Sequence, residues 1–402
     1  MRRPLGTSLF AAVLLAAVLP ATPASAETRT SGYIVLLADG VAASSVSSVS
    51  ADHGTTVDHV YSSALRGYSG RMTATAAARL ARDPRVALVQ PDGVATATAQ
   101  TTPTGVDRVD AELSATARID GADQRVAVDV AVIDTGVDLD HPDLNVHTAG
   151  AKNCSSGRSA DDGNGHGTHV AGTIGALDNG DGVVGVAPGA RIWPVRVLNN
   201  QGSGSFSDII CGIDYVTAHA DEIEVANMSL GGSGSDSACG TNRDAMHEAI
   251  CRSVAAGVTY VVAAGNSAAD SATFVPAAYD EVITVSALAD FNGQPGGGAA
   301  ATCRADVDDT FADFSNHGAD VDLIAPGVCV LSTWKGGGYN TISGTSMASP
   351  HVAGGAALYR ATHPTATPGT VKSALQAAAT GTWNTGTDPD ATHEPLLDVA
   401  SF

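Results

Sequence analysis

Short apolar runs that alternate with longer mixed segments set the first limit on what this chain can become. Residues 128–133, 192–198, 224–230, 259–264 and 282–286 are each rich in Val, Ile and Ala. A strand with one wet face alternates apolar and polar side chains, whereas a continuous apolar run needs cover on both faces. Five such runs between helical stretches predict an α/β unit: a mainly parallel central sheet between two helix layers, three layers in all. In sheets of this kind the loops beyond the carboxyl ends of the strands collect the functional groups.

A smaller unit precedes the large one. Over residues 32–93 the pattern reads as strand 33–37, helix 42–51, strand 55–61, a Gly-rich strand 67–72, helix 74–81 and strand 86–89. The order βαββαβ is that of a ferredoxin-like α+β domain. Residues 95–104, made of Ala, Thr, Gln and little else, have no apolar period and read as a linker open to processing.

The first 26 residues have the layout of an export signal. Arg2 and Arg3 precede an apolar run from Leu9 to Leu19, and Ala24-Ser25-Ala26 supplies small residues for cleavage. That run is too short to cross a hydrocarbon layer, which takes roughly 20 residues in a helix. The expected division is a signal over 1–26, the small unit within 27–100 and the large unit over 101–402, in a secreted, extracellular protein.

Charge and cysteine agree with export. Residues 98–402 hold 36 Asp and Glu against 13 Lys and Arg. So acidic a surface repels nucleic acid and anionic membranes, and neither is expected as a partner. All six cysteines lie in this part, and an even number in an exported chain suggests disulfides. Six allow fifteen pairings; short local loops favour Cys239–Cys251 and Cys303–Cys329, which would leave Cys154–Cys211.

Three motifs carry the chemistry. Asp134 closes an apolar run ahead of Thr135-Gly136; Gly165-His166-Gly167-Thr168-His169 enters a helix; Ser343-Gly344-Thr345-Ser346-Met347-Ala348 leads into a second one. Singly they are a turn aspartate, a helix-start histidine and an N-cap serine. Together with the strand end Ala263-Ala264-Gly265-Asn266 they supply a nucleophile, a base, a group to orient the base and an oxyanion donor, the four parts acyl transfer requires. His166 and His169 are three apart with no glutamate between them, which does not fit a zincin.

Over about residues 104–402 these motifs, in the order Asp, His, Ser, resemble those of the subtilisin family of serine proteases. The resemblance implies the subtilisin-like α/β fold and a serine endopeptidase acting on polypeptides. Asp134, His166 and Ser346 would be catalytic and Asn266 the oxyanion donor, with no catalytic part for His169 or His351. Ser229, Leu230, Gly231, Ala263, Ala264 and Gly265 would bind substrate, with Phe274 at the pocket base; their small, uncharged character suggests small or apolar residues before the scissile bond. It further implies a structural calcium ion (Ca2+) held by Asp143, Leu177, Asn179, Asp181 and Val183, three of them through backbone oxygen. The unit 32–93 is similar to the family's inhibitor-like propeptide, a folding aid and inhibitor cut away by the enzyme itself somewhere in 93–102. A monomer is expected.

Two rivals remain at this level. A non-catalytic binding protein on the same fold would be expected to lack at least one of Asp134, His166, Asn266 or Ser346, and all are present. A narrow processing protease would be expected to carry a charged or bulky pocket or an added recognition module, and neither is evident in the sequence.

Overall fold

The computed structural model of the chain describes residues 30–93, 99–241 and 243–402. The signal-like stretch and residues 94–98 of the linker region lie outside the described residues. The chain divides into two compact units, Met1–Ala97 and Thr98–Phe402.

In the first unit four antiparallel strands lie in the order His59–Tyr61, Gly67–Met72, Ser31–Leu37, Val86–Pro91. Helices Val46–His53 and Ala74–Leu80 complete the expected βαββαβ order. Val35, Leu37 and Tyr68 from the strands pack with Val49, Ala77 and Leu80 from the helices. Thr73 starts the second helix by accepting Ala76 N–H at 3.2 Å. The strand predicted over 55–61 forms only over His59–Tyr61, because the Thr56 hydroxyl takes Arg71 N–H at 3.2 Å where a ladder bond would otherwise form.

The second unit is built on an eight-stranded sheet. Its path runs Thr310–Phe311, Ile283–Ala289, Thr259–Ala263, Val225–Met228, Asp129–Asp134, Arg191–Arg196, Lys152–Asn153, with Leu323–Pro326 also paired to Ile283–Ala289. Every pairing is parallel except that of Thr310–Phe311. Side chains along one strand part to opposite faces. Val130 and Val132 join a core with Ile174, Val352 and Leu375, while Ala131 and Ile133 join another with Ile213 and Ile250. Helices His166–Gly175, Thr345–Thr362 and Pro368–Ala378 therefore cover one face, and Phe206–Ala218 and Ala245–Ala255 the other. Burial on both faces is the physical reason the strands are apolar without alternation.

The bridges are Cys154–Cys211, Cys239–Cys251 and Cys303–Cys329, the pairing that loop length favours. A hairpin of Val330–Trp334 and Gly338–Ile342 packs on the helix that starts at His166. Among the described residues no helix is long and apolar enough to cross a membrane.

Candidate active site

Asp134 is the last residue of its strand and is fully buried. His166 is the first residue of its helix, and its Nδ1 lies 2.8 Å from Asp134 Oδ1. The same carboxylate oxygen accepts Thr135 N–H at 2.6 Å, which aims it at the ring. Burial pulls the His166 pKa down, but the charge of Asp134, its hydrogen bond and the charge of Asp162 outweigh that, and the imidazole stands above its ordinary value. His169, one turn on, is fully buried and bonded through Nε2 to the Val330 carbonyl at 2.9 Å.

Ser346 is the second residue of the helix Thr345–Thr362. Pro350 lies four positions on and has no N–H to give the Ser346 carbonyl. Ser229 Oγ donates to that carbonyl instead, at 2.8 Å. Ser229 Oγ accepts from Asn227 Nδ2 at 2.9 Å, and Asn227 Oδ1 accepts from Ser349 Oγ at 2.7 Å. A missing backbone bond thus becomes a tie between the Ser346 helix and the strand end at Met228. The Ser346 hydroxyl itself donates to the Ser229 carbonyl at 3.2 Å.

Asn266 follows the strand Thr259–Ala263 by three residues, and its Oδ1 accepts both Thr345 N–H, 2.8 Å, and Thr345 Oγ1, 3.0 Å. Two donors on the oxygen settle which way the amide points and leave its NH₂ for another acceptor. An atom at the ideal Cβ position of Gly344 would be 3.6 Å from both Asn266 Nδ2 and Ser346 N. Two N–H groups thus lie near one spot beside the serine.

His166, Asn266 and Ser346 open on one cavity of about 460 Å³. Ser229, Leu230, Gly231, Ala263 and Gly265 line it; Ala264 does not, being fully buried with its carbonyl bonded to Asn316 Nδ2 at 2.9 Å. Phe274 fills the space between the two glycine segments. A Cβ on Gly231 would come within 2.4 Å of its ring, and one on Gly265, where φ is +108°, within 2.4 Å of Asn316. No Asp, Glu, Lys or Arg is among the lining residues. Sequence reasoning missed Leu198, Phe206 and Ile209 on the far wall, and Thr345 behind Asn266. The adjacency of Thr345 to the serine was the only available signal.

The loop that follows the helix His166–Gly175 gathers around Asp143. This carboxylate is 2 % exposed and accepts Val183 N–H and Asn179 Nδ2, each at 3.0 Å, and Tyr339 OH at 3.2 Å. Burial pushes its pKa up. A Cβ on Gly182 would fall 2.4 Å from Asp143 Oδ2, so the loop closes on the carboxylate only through a glycine. Gln100, not anticipated from sequence, is bound to the same loop: Oε1 accepts Gly180 N–H at 2.6 Å and Nε2 donates to Asp178 Oδ1 at 2.9 Å. The Asn179 amide oxygen accepts Asp181 N–H at 2.8 Å. Carboxylate, amide and backbone oxygens are the donor types calcium takes, so the residue types fit that ion, although here Asp143 faces N–H and O–H donors.

Residues 126–394 match the profile of the subtilase family, and residues 25–97 that of the peptidase inhibitor I9 family. An extracellular serine proteinase of Thermus sp. (strain Rt41A) is 42 % identical over 336 residues, 81 % of this chain and 74 % of that protein. Subtilisin E of Bacillus subtilis (strain 168) is 40 % identical over 304 residues, 75 % of this chain and 72 % of that one. The crystal structure of a cold adapted subtilisin-like serine proteinase superposes with a TM-score of 0.56 at 33 % identity, over 75 % of this chain and 98 % of its own.

Proposed function

Because the chain belongs to the subtilase family and is a serine endopeptidase, we propose that Asp134, His166 and Ser346 cleave polypeptides through an acyl-enzyme. The observation that carries this reading is the 2.8 Å contact of His166 with the buried Asp134, on the same cavity as Ser346 and Asn266. Rotation about the Ser346 Cα–Cβ bond takes its hydroxyl from the Ser229 carbonyl towards the imidazole. His166 then removes the proton as Oγ bonds to the substrate carbonyl carbon. The oxygen becomes an anion between Asn266 Nδ2 and Ser346 N–H, while Asp134 stabilises the imidazolium. The proton passes to the departing amine, the C–N bond breaks, and water repeats the sequence on the ester.

Specificity follows from the uncharged walls. With Phe274 at the base and small residues on both sides, the pocket takes small or apolar side chains before the scissile bond, and a cationic one finds no carboxylate there. Asp143 and Asn179 through side-chain oxygen, with Leu177 and Val183 through backbone oxygen, would hold a calcium ion, and Asp181 belongs to the same set. Bound there, the ion would tie the surface loop to the body of the unit.

The protein is made for export as a self-cleaved zymogen and acts as a monomer, with residues 1–26 as signal, the 27–100 segment as inhibitor and folding aid, and 101–402 as peptidase. Cleavage within 93–102 is supported by backbone bonds of Gln100 and Thr101 to Gly180 and Gly182, which hold the start of the peptidase unit. The test is expression of the precursor beside Ser346→Ala, following product size and casein digestion. Only the wild type is expected to lose the residues up to about 93–102 and to digest casein; a folded Ser346→Ala protein that does both refutes the assignment.

A further inference from the structure

We propose that Asp162 is a positioning residue for His166, a second carboxylate that ties the loop after Asp134 to the helix bearing the base. The inference rests on the reading of His166 as that base. Asp162 is 6 % exposed. Its Oδ1 accepts from Thr135 Oγ1 at 2.9 Å and from the N–H groups of Asn164 and Gly165, each at 2.8 Å. Its Oδ2 accepts from Thr168 N–H at 3.0 Å and Thr168 Oγ1 at 2.6 Å. The Thr135 hydroxyl in turn accepts Gly167 N–H at 2.9 Å, while Thr135 N–H binds Asp134. One carboxylate therefore joins the residue next to Asp134 to both flanks of His166.

All five donors are uncharged. Hydrogen bonds to a carboxylate are about twice as strong as neutral ones, so the clamp is stiff, and its negative charge stays close to the imidazole. The groups that face His166 are Asp134 from the strand, Asp162 from the preceding loop and His169 from its own helix, with Lys335 anchored on the Gly163 carbonyl at 2.7 Å. Asp162 reinforces Asp134 in holding the His166 pKa up against burial. The base works when unprotonated, so activity rises with pH through that pKa. Loss of the Asp162 charge therefore moves the acid limb of kcat/KM to lower pH.

The test compares Asp162→Asn, Thr135→Val and Thr135→Ser, matured by wild-type enzyme in trans and normalised by active-site titration, with Ser346→Ala beside them. Asp162→Asn is expected to lose about tenfold or more in kcat with KM nearly unchanged, and its acid limb to move to lower pH. Thr135→Val keeps the charge, so it is expected to lose kcat with the limb in place, and Thr135→Ser to match wild type. Wild-type kcat in Asp162→Asn, or a loss of kcat with an unmoved limb, overturns the proposal. If Asp162→Asn does not fold, wild-type kcat in Thr135→Val overturns it. An active Ser346→Ala protein instead removes the catalytic assignment beneath it.

Discussion

At the scale of single residues, the site depends on side chains whose orientation is held by a neighbour. Asn266 can donate to an oxyanion only because Thr345 occupies its oxygen twice. Under the proposed mechanism, Asn266→Ala removes a donor to charge that exists only in the transition state, and it leaves the strand behind it intact. We expect kcat to fall about 10²–10³-fold with little change in KM, as for the corresponding donor of a subtilisin. Kinetics on titrated enzyme check it, and an unchanged kcat in a folded variant would remove Asn266 from the mechanism.

At the scale of elements, each group of the proposed triad stands at an end: Asp134 at a strand's end, His166 and Ser346 at the starts of helices. Helix starts have N–H groups without intrahelical partners. One of these, Ser346 N–H, is the second donor of the proposed oxyanion site, and others near His166 bind Asp162. The loop from Ala176 to Val183 connects the His166 helix to the sheet and closes on Asp143, so under the proposed calcium site it is the element expected to respond to metal. Binding at a hundredfold excess over Kd stabilises a fold by about 2.7 kcal/mol. Chelation with EDTA should therefore lower Tm by roughly 5 °C. Asp143→Asn should start lower and no longer respond to calcium. Equal Tm with calcium and with EDTA in the wild type would exclude the site.

At the scale of the whole molecule, two histidines outside the chemistry limit the acid range. His169 and His351 are fully buried, and burial holds the first down to about 3 and the second to about 4. Their carbonyl partners, Val330 and Met347, offset only part of that. A pKa lowered on folding means that the unfolded chain takes up the proton first. The stability due to these groups is present above the ordinary value of 6.5 and is lost as pH falls from there towards 4 and 3. Each adds a slope of about 1.4 kcal/mol per pH unit within its window. Urea unfolding of active-site-blocked enzyme from pH 7 to 4 should show stability falling steadily. His351→Gln, which does not titrate, should fall less steeply; an identical slope would mean that His351 takes no part.

Much of this was already written in the chain. The continuous apolar runs determine a sheet covered on both faces, since no other environment suits a strand such as Val130-Ala131-Val132-Ile133. The motifs around Asp134, His166, Asn266 and Ser346 were legible because each is local, a few residues at an element's end. The hairpin Val330–Trp334 with Gly338–Ile342 was not, because Ser332, Thr333, Asn340 and Thr341 interrupt its apolar residues and leave no clear strand run. Nor were the partners that orient the site. Ser229 meets the Ser346 carbonyl across 117 positions, Thr345 meets Asn266 across 79, and Gln100 reaches the loop at Asp178 across 78. Sequence by itself determined which groups are present and on which elements. Only the tertiary structure decided which donor meets which acceptor, because a hydrogen bond forms within about 3 Å and that distance is set by packing between elements far apart in the chain.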